Sequence, residues 1–101
     1  MQKVSLADHG KALRLQTGDL IEITLPGNPS TGFRWYIDSC PQELRIVHDN
    51  FVHSSAESSG VRQFLIAAEQ PGAVELRIRL RRGWENPGAS IKQLVLHIDI
   101  T

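Results

Sequence analysis

From Val74 to Arg81 the chain alternates without a break. Val74, Leu76, Ile78 and Leu80 are apolar, while Glu75, Arg77, Arg79 and Arg81 between them are charged. Successive side chains of an extended strand point to opposite faces, so this run reads as a strand with one face in a core and one in water. A helix would scatter the same apolar residues around its circumference. The pattern recurs along the chain. Ile21, Ile23 and Leu25 alternate with Leu20, Glu22 and Thr24 and stop at Pro26-Gly27. Phe33, Trp35 and Ile37 alternate with Arg34, Tyr36 and Asp38, which makes Trp35 a core residue. Leu94, Leu96, Ile98 and Ile100 alternate with Val95, His97 and Asp99, which are expected outside.

Shorter stretches complete the set. Leu13 and Leu15 alternate with polar neighbours, and Phe64, Ile66 and Ala68 share one face. Leu44 to His53 is rich in β-branched residues but mixed in period, and it is read as a strand on composition. Thr17-Gly18-Asp19, Cys40-Pro41 and Gln70-Pro71-Gly72 supply turns. No segment has the periodicity of an amphipathic helix. About seven short strands, separated by turn signals roughly every 8 to 15 residues, predict an all-β, immunoglobulin-like antiparallel β-sandwich. The 101 residues contain no linker, internal repeat or low-complexity segment, so 1–101 is read as a single domain. A chain of this size buries somewhat over ~60% of its unfolded surface, enough for a core without disulfides or metals.

Charge narrows the function. Eleven basic and eleven acidic residues cancel, which argues against nucleic acid or an anionic membrane as partner, since both need a basic footprint. No apolar run reaches the roughly 20 residues of a membrane span. Met1 to His9 lacks the apolar centre of a signal peptide, so the chain is expected to be cytoplasmic or the mature form of an exported protein. Arg77, Arg79 and Arg81 form a basic stripe, explained by pairing with acidic cross-strand neighbours on a solvated face.

Titratable side chains do not assemble into a catalytic pattern. Cys40, the single cysteine, cannot form an intrachain disulfide. It precedes Pro41 in a turn, without a helix N-terminus to activate the thiol. His9, His48, His53 and His97 are scattered. His48 and His53 differ by an odd number, so a regular strand points them to opposite faces. No catalytic residue, metal site or cofactor is expected.

The connections are more informative. Asn28-Pro29-Ser30-Thr31-Gly32 leads into the strand carrying Trp35. Pro29 fixes its own φ and keeps Asn28 extended, and Gly32 can adopt a positive φ. Ser30 and Thr31 can hydrogen-bond nearby backbone. Ser54 to Gly60 and Arg82 to Gly88 are the other two distinctive loops. In a sandwich, alternate connections gather at one end, and these three are every second connection.

The first loop, with its following Trp35, resembles the Asn-Pro-Thr-Thr-Gly loop of the chagasin family, small β-sandwich inhibitors of papain-like cysteine proteases. Ser30 replaces the first Thr and keeps the hydroxyl. The resemblance extends over nearly the whole chain, with loops in the same order and spacing, and supplies the Greek-key connectivity that periodicity cannot. It implies a chagasin-like inhibitor domain, a monomer whose three loops wedge reversibly into a protease cleft. Thr31 would lie nearest the catalytic cysteine of the protease, within Asn28, Pro29, Ser30, Thr31 and Gly32. The backbone at Ser59 and Gly60 would follow the non-primed side, with Phe64 anchoring that loop's base in the core. Arg82, Gly83 and Trp84 match an Arg-Pro-Trp segment, with Trp84 packing on the primed side.

Two departures stand out. Gly83 takes the place of a proline, leaving that loop less pre-ordered. The second loop has only Gly60 where the family is richer in glycine. A different class also uses exposed aromatics: an immunoglobulin-like adhesion or carbohydrate-binding module would employ Trp84 and Tyr36 as a stacking platform. Such a platform has no need of the Asn-Pro-Ser-Thr-Gly loop.

Overall fold

The computed structural model describes residues 1–27, 33–53, 60–82 and 92–101. Eight strands appear: β1 (Gln2–Ser5), β2 (Ala12–Leu15), β3 (Leu20–Gly27), β4 (Phe33–Ser39), β5 (Leu44–His53), β6 (Gly60–Ala68), β7 (Gly72–Arg82) and β8 (Lys92–Ile100). One four-stranded sheet has the order β1-β3-β6-β5 and the other β2-β8-β7-β4. The all-β sandwich read from the alternation is therefore correct.

The alternating residues meet between the two sheets. Ile21, Ile23, Leu25, Phe64 and Ile66 from one sheet, and Trp35, Leu76, Ile78, Leu94, Leu96 and Ile98 from the other, are all buried. Their polar alternates face outward. On β7, Arg79 and Arg81 are paired across strands as expected, 3.2 and 3.7 Å from the Asp38 carboxylate of β4, whereas Arg77 lies 3.2 Å from Glu75 on its own strand.

The structure adds a strand and changes two directions. β1 runs parallel to β3, and β2 runs parallel to β8, so the sandwich has two parallel edge pairs within mixed sheets. A 3-10 turn at Leu6–Asp8 carries the chain from one sheet to the other. Asp8 secures this turn by accepting from the Ser5 amide at 2.9 Å and pairing with Lys11 at 2.7 Å. These interactions hold the Asp8 carboxyl below its usual range, the hydrogen bond from Lys11 first among them. In β1 only Val4 enters the core, too short a pattern to register as alternation.

Val95, expected outside, is only 7% exposed. The segment before β2 lies alongside it: Gly10 N–H donates to the Val95 carbonyl at 2.8 Å, and Val95 N–H donates to His9 Nδ1 at 3.0 Å. Covering by a distant segment overrides the facing of a single position.

The mixed period of β5 also has a physical cause. Its register against β6 shifts between Ile46 and His48. Before this bulge Leu44 and Ile46 stand opposite Ala68 and Ile66; after it, Asp49 and Phe51 stand opposite Phe64 and Arg62. Leu44 is buried before the bulge and Phe51 lies over Gly27 and Gly60 after it, so the inner phase passes from even to odd numbers, while Ile46 at the bulge is 40% exposed. β4 carries a similar shift between Ile37 and Ser39. Both long outer strands are irregular, which discourages edge-to-edge pairing with other chains.

Candidate functional site

The registers determine which connections share an end of the sandwich. Gly27, at the end of β3, pairs with Gly60, at the start of β6, and Gly60 pairs with His53, at the end of β5. In the other sheet Phe33 opens β4 opposite Arg82, the last residue of β7, and Leu80 pairs with Lys92 at the start of β8. Segments 28–32, 54–59 and 83–91 therefore all begin and finish at one end. Segment 54–59 closes a hairpin in the first sheet, 83–91 closes one in the second, and 28–32 crosses between the sheets.

Of the residues singled out in the sequence, Gly60 and Arg82 are placed by this framework as strand ends. Asn28, Pro29, Ser30, Thr31, Gly32, Ser59, Gly83 and Trp84 lie outside the described residues, as does the side chain of Arg82.

Two side chains support the strand ends from below. Trp35, 3% exposed, fills the core, and its indole N–H donates to the Pro26 carbonyl at 2.8 Å. Because Trp35 belongs to β4 and Pro26 to β3, this bond ties together the two sheets on either side of segment 28–32. A buried indole needs a hydrogen-bond acceptor, and here that need fixes a strand end.

Phe51 of β5 is the second support. It shares the inner phase with Gly60 and Gly27, and its ring reaches over both. A Cβ on Gly27 would stand 3.0 Å from Phe51 Cε2. One on Gly60 would stand 2.9 Å from Phe51 Cζ and would run into the Val52 carbonyl. Gly60 is thus required by close backbone approach. One layer deeper, Arg62 pairs with Asp49 and sits 5.4 Å from the Phe64 ring centroid. Phe64 itself is 1% exposed and in the core, as expected of an anchor beneath the 54–59 hairpin.

Sequence reasoning missed Phe51, Asp49, Arg62 and the Pro26 carbonyl. The β5 bulge hid the facing of the first two, and the role of Pro26 rests on a backbone atom that residue type does not reveal.

The remaining candidates lie away from this end. Cys40 follows β4 at the opposite end, with Sγ 3.9 Å from the carbonyl oxygens of both Pro41 and Leu44. Although the residue as a whole is exposed, burial of the sulfur pushes its thiol pKa up. At neutral pH it stays protonated, a poor nucleophile. The Tyr36 ring has the Arg81 guanidinium 4.2 Å above its centroid. That face is occupied, which weakens the stacking-platform alternative. Among the described residues no group of three potential ligands could hold a metal ion.

Residues 14–98 match the family model described as "Chagasin family peptidase inhibitor I42". Chagasin of Trypanosoma cruzi is 25% identical over 104 residues, covering 95% of this chain and 94% of its own length. The cysteine protease inhibitor EhICP2 of Entamoeba histolytica superposes with a TM-score of 0.90 at 21% identity, covering 99% of this chain and 95% of that one. A structure of PbICP-C in complex with falcipain-2 superposes with a TM-score of 0.76 at 12% identity over the full length of both chains.

Proposed function

Because the chain belongs to the chagasin family of peptidase inhibitors, we propose that it closes the active-site cleft of papain-like enzymes with segments 28–32, 54–60 and 82–91. That it is a reversible inhibitor of cysteine proteases, and not an enzyme, follows from the family and its relatives. The cleft-filling geometry is the proposal. The observation that carries it is the convergence of strand ends: two hairpins, one per sheet, flank a segment that crosses between the sheets. A wedge needs a central element with support on both sides.

The division of labour follows the sequence. Asn28, Pro29, Ser30, Thr31 and Gly32 form the central element, with Thr31 nearest the enzyme's cysteine. Ser59 and Gly60 present backbone on one side, while Arg82, Gly83 and Trp84 bring an aromatic anchor to the other. The Trp35–Pro26 bond and the Phe51 ring set the strand ends before the enzyme arrives, which limits the ordering entropy lost on binding. The complex of PbICP-C with falcipain-2, a papain-like cysteine protease, supports a protease of that class as the partner. The chain acts as a monomer in this reading.

Titration against papain and a cathepsin tests the proposal. Competitive, reversible inhibition with the inhibitor recovered uncleaved is expected. Interfaces of ordinary protease-inhibitor size, about 1,600 Å² in total, reach nanomolar affinity or better. Gly83 and the glycine-poor second loop place this chain at the weaker end of that range. Absence of inhibition at micromolar concentrations across several such enzymes would overturn the assignment of papain-like targets.

A further inference from the structure

The inner face of the first sheet ends in an unusual layer. Gly27 and Gly60 face each other across β3 and β6, and both leave open the space a side chain would fill. Phe51, from the outer strand β5, fills that space. It lies in register with Arg62, two residues along β6 from Gly60, and its ring extends diagonally over Gly60 to Gly27. One side chain therefore touches the end of β3, from which segment 28–32 departs, and the start of β6, at which segment 54–59 finishes.

The contact is tight on both glycines, and Gly60 is held additionally under the Val52 carbonyl. Close-packed contacts of this kind transmit displacement, because neither neighbour has free volume to absorb it. The neighbouring layer adds no comparable constraint: Arg62 and Asp49 have side chains 24% and 42% exposed, so their pairing is screened by solvent.

We infer that Phe51 is a positioning residue for inhibition: its ring, laid over Gly27 and Gly60, sets the relative placement of the two strand ends and thereby the speed of protease capture. The inference rests on the reading that segments 28–32 and 54–59 enter the cleft together. Without the ring, the strand ends sample other placements and only a fraction of molecules is competent to dock. Apparent affinity then falls by that fraction. Once the complex has formed, the cleft itself holds the segments, so dissociation changes little. The signature is a loss in association rate, opposite to that of a contact residue, whose removal speeds dissociation.

The experiment measures association and dissociation rate constants with papain for wild type, Phe51→Ala, Phe51→Leu, Gly27→Ala and the Gly27→Ala/Phe51→Leu double variant. All are assayed well below their melting temperatures. For Phe51→Ala, association is expected to slow about tenfold with dissociation within about twofold of wild type. Phe51→Leu should recover most of the rate; if the alanine variant does not fold, Gly27→Ala carries the test, and a wild-type association rate for that variant would overturn the inference. Gly27→Ala, whose Cβ displaces the ring, should show the same slowing. Its effect should shrink in the Phe51→Leu background, because the two residues share one space.

A Phe51→Ala protein that melts earlier but associates at the wild-type rate would reduce Phe51 to a stabilising residue and overturn the inference. So would a loss confined to dissociation. Thr31→Asp and Trp84→Ala serve as controls. If they leave inhibition intact, the cleft-filling reading itself fails. If they weaken it while Phe51→Ala keeps the wild-type association rate, only the positioning role fails.

Discussion

The two ends of this sandwich are built differently. At the end away from segments 28–32, 54–59 and 83–91, the turns bond directly to one another through the backbone. Thr17 N–H donates to the Thr101 carbonyl, Gly18 N–H to Ala68, Ala68 N–H to Asp19, and Glu69 and Gln70 N–H both to Glu43. Gly18 turns the chain at a φ of +97°, and the Asp19 carboxylate accepts from the Gln16 amide at 2.8 Å. This end consumes its own hydrogen-bonding capacity. At the other end, the described strand ends are held from beneath, by the Trp35 indole on Pro26 and the Phe51 ring on two glycines. Support from below can fix strand ends without covering the surface above them. An inhibitor needs that combination, and the contrast predicts where stability and inhibition separate.

The largest effect should come from the shared core. Trp35→Ala empties a buried site and removes the bond to Pro26, costing roughly 3–5 kcal/mol of stability. Thermal melts read this directly, and any lost inhibition should track unfolding. A melting temperature close to wild type would mean that Trp35 does not join the two sheets.

Next comes the centre of the proposed wedge. Thr31→Asp should raise the inhibition constant by roughly 3 kcal/mol or more, because it buries an uncompensated charge in the cleft. Thr31→Ala should lose only about 1 kcal/mol, since a hydrogen bond exchanged with water nets little. Both should melt like wild type. Equal inhibition constants for wild type and Thr31→Asp would take segment 28–32 out of the cleft.

Trp84→Ala sharpens the contrast from the side of binding. Its inhibition constant should rise by a hot-spot amount of about 2 kcal/mol, close to thirtyfold, mostly through faster dissociation. The melting temperature should hardly move. Unfolding of this variant would make Trp84 a core residue and redraw the third loop.

Two smaller changes probe the opposite end. Asp19→Ala removes the carboxylate that the Gln16 amide donates to and should cost about 1 kcal/mol of stability with no change in inhibition. Cys40→Ser should alter neither inhibition nor its reversibility, since the protonated thiol takes no part in binding. Inhibition lost in a folded Cys40→Ser protein would require a covalent or mixed-disulfide mechanism.

Acidic conditions should act locally. The Asp8 carboxyl is held low by Lys11 and the Ser5 amide, so its contribution to the Leu6–Asp8 turn is present above the ordinary carboxylate range. That contribution disappears as pH falls through the depressed folded value. Asp8→Asn should flatten this part of a stability-versus-pH curve and leave inhibition at neutral pH unchanged.

Period-two alternation made the inner faces of β3, β4, β7 and β8 legible in the sequence, because one residue's facing fixes the next along a regular strand. The core role of Trp35 was legible for the same reason. The cysteine-protease-inhibitor family could be recognised from Asn-Pro-Ser-Thr-Gly and the tryptophan beyond it. Irregularity set the limit. The bulge after Ile46 reversed the phase of β5 and hid Phe51, and β1 was too short to show a period. Parallel pairing of β1 with β3 and of β2 with β8, and the covering of Val95 by His9 and Gly10, depend on contacts between residues far apart in the chain. Sequence by itself determined which residues seek a core and which segments must turn, since these follow from side-chain chemistry and local sterics. Only the tertiary structure decided which strand ends lie side by side and why Gly60 must be glycine, since pairing across sheets and the reach of one ring over two strands are properties of the assembled fold.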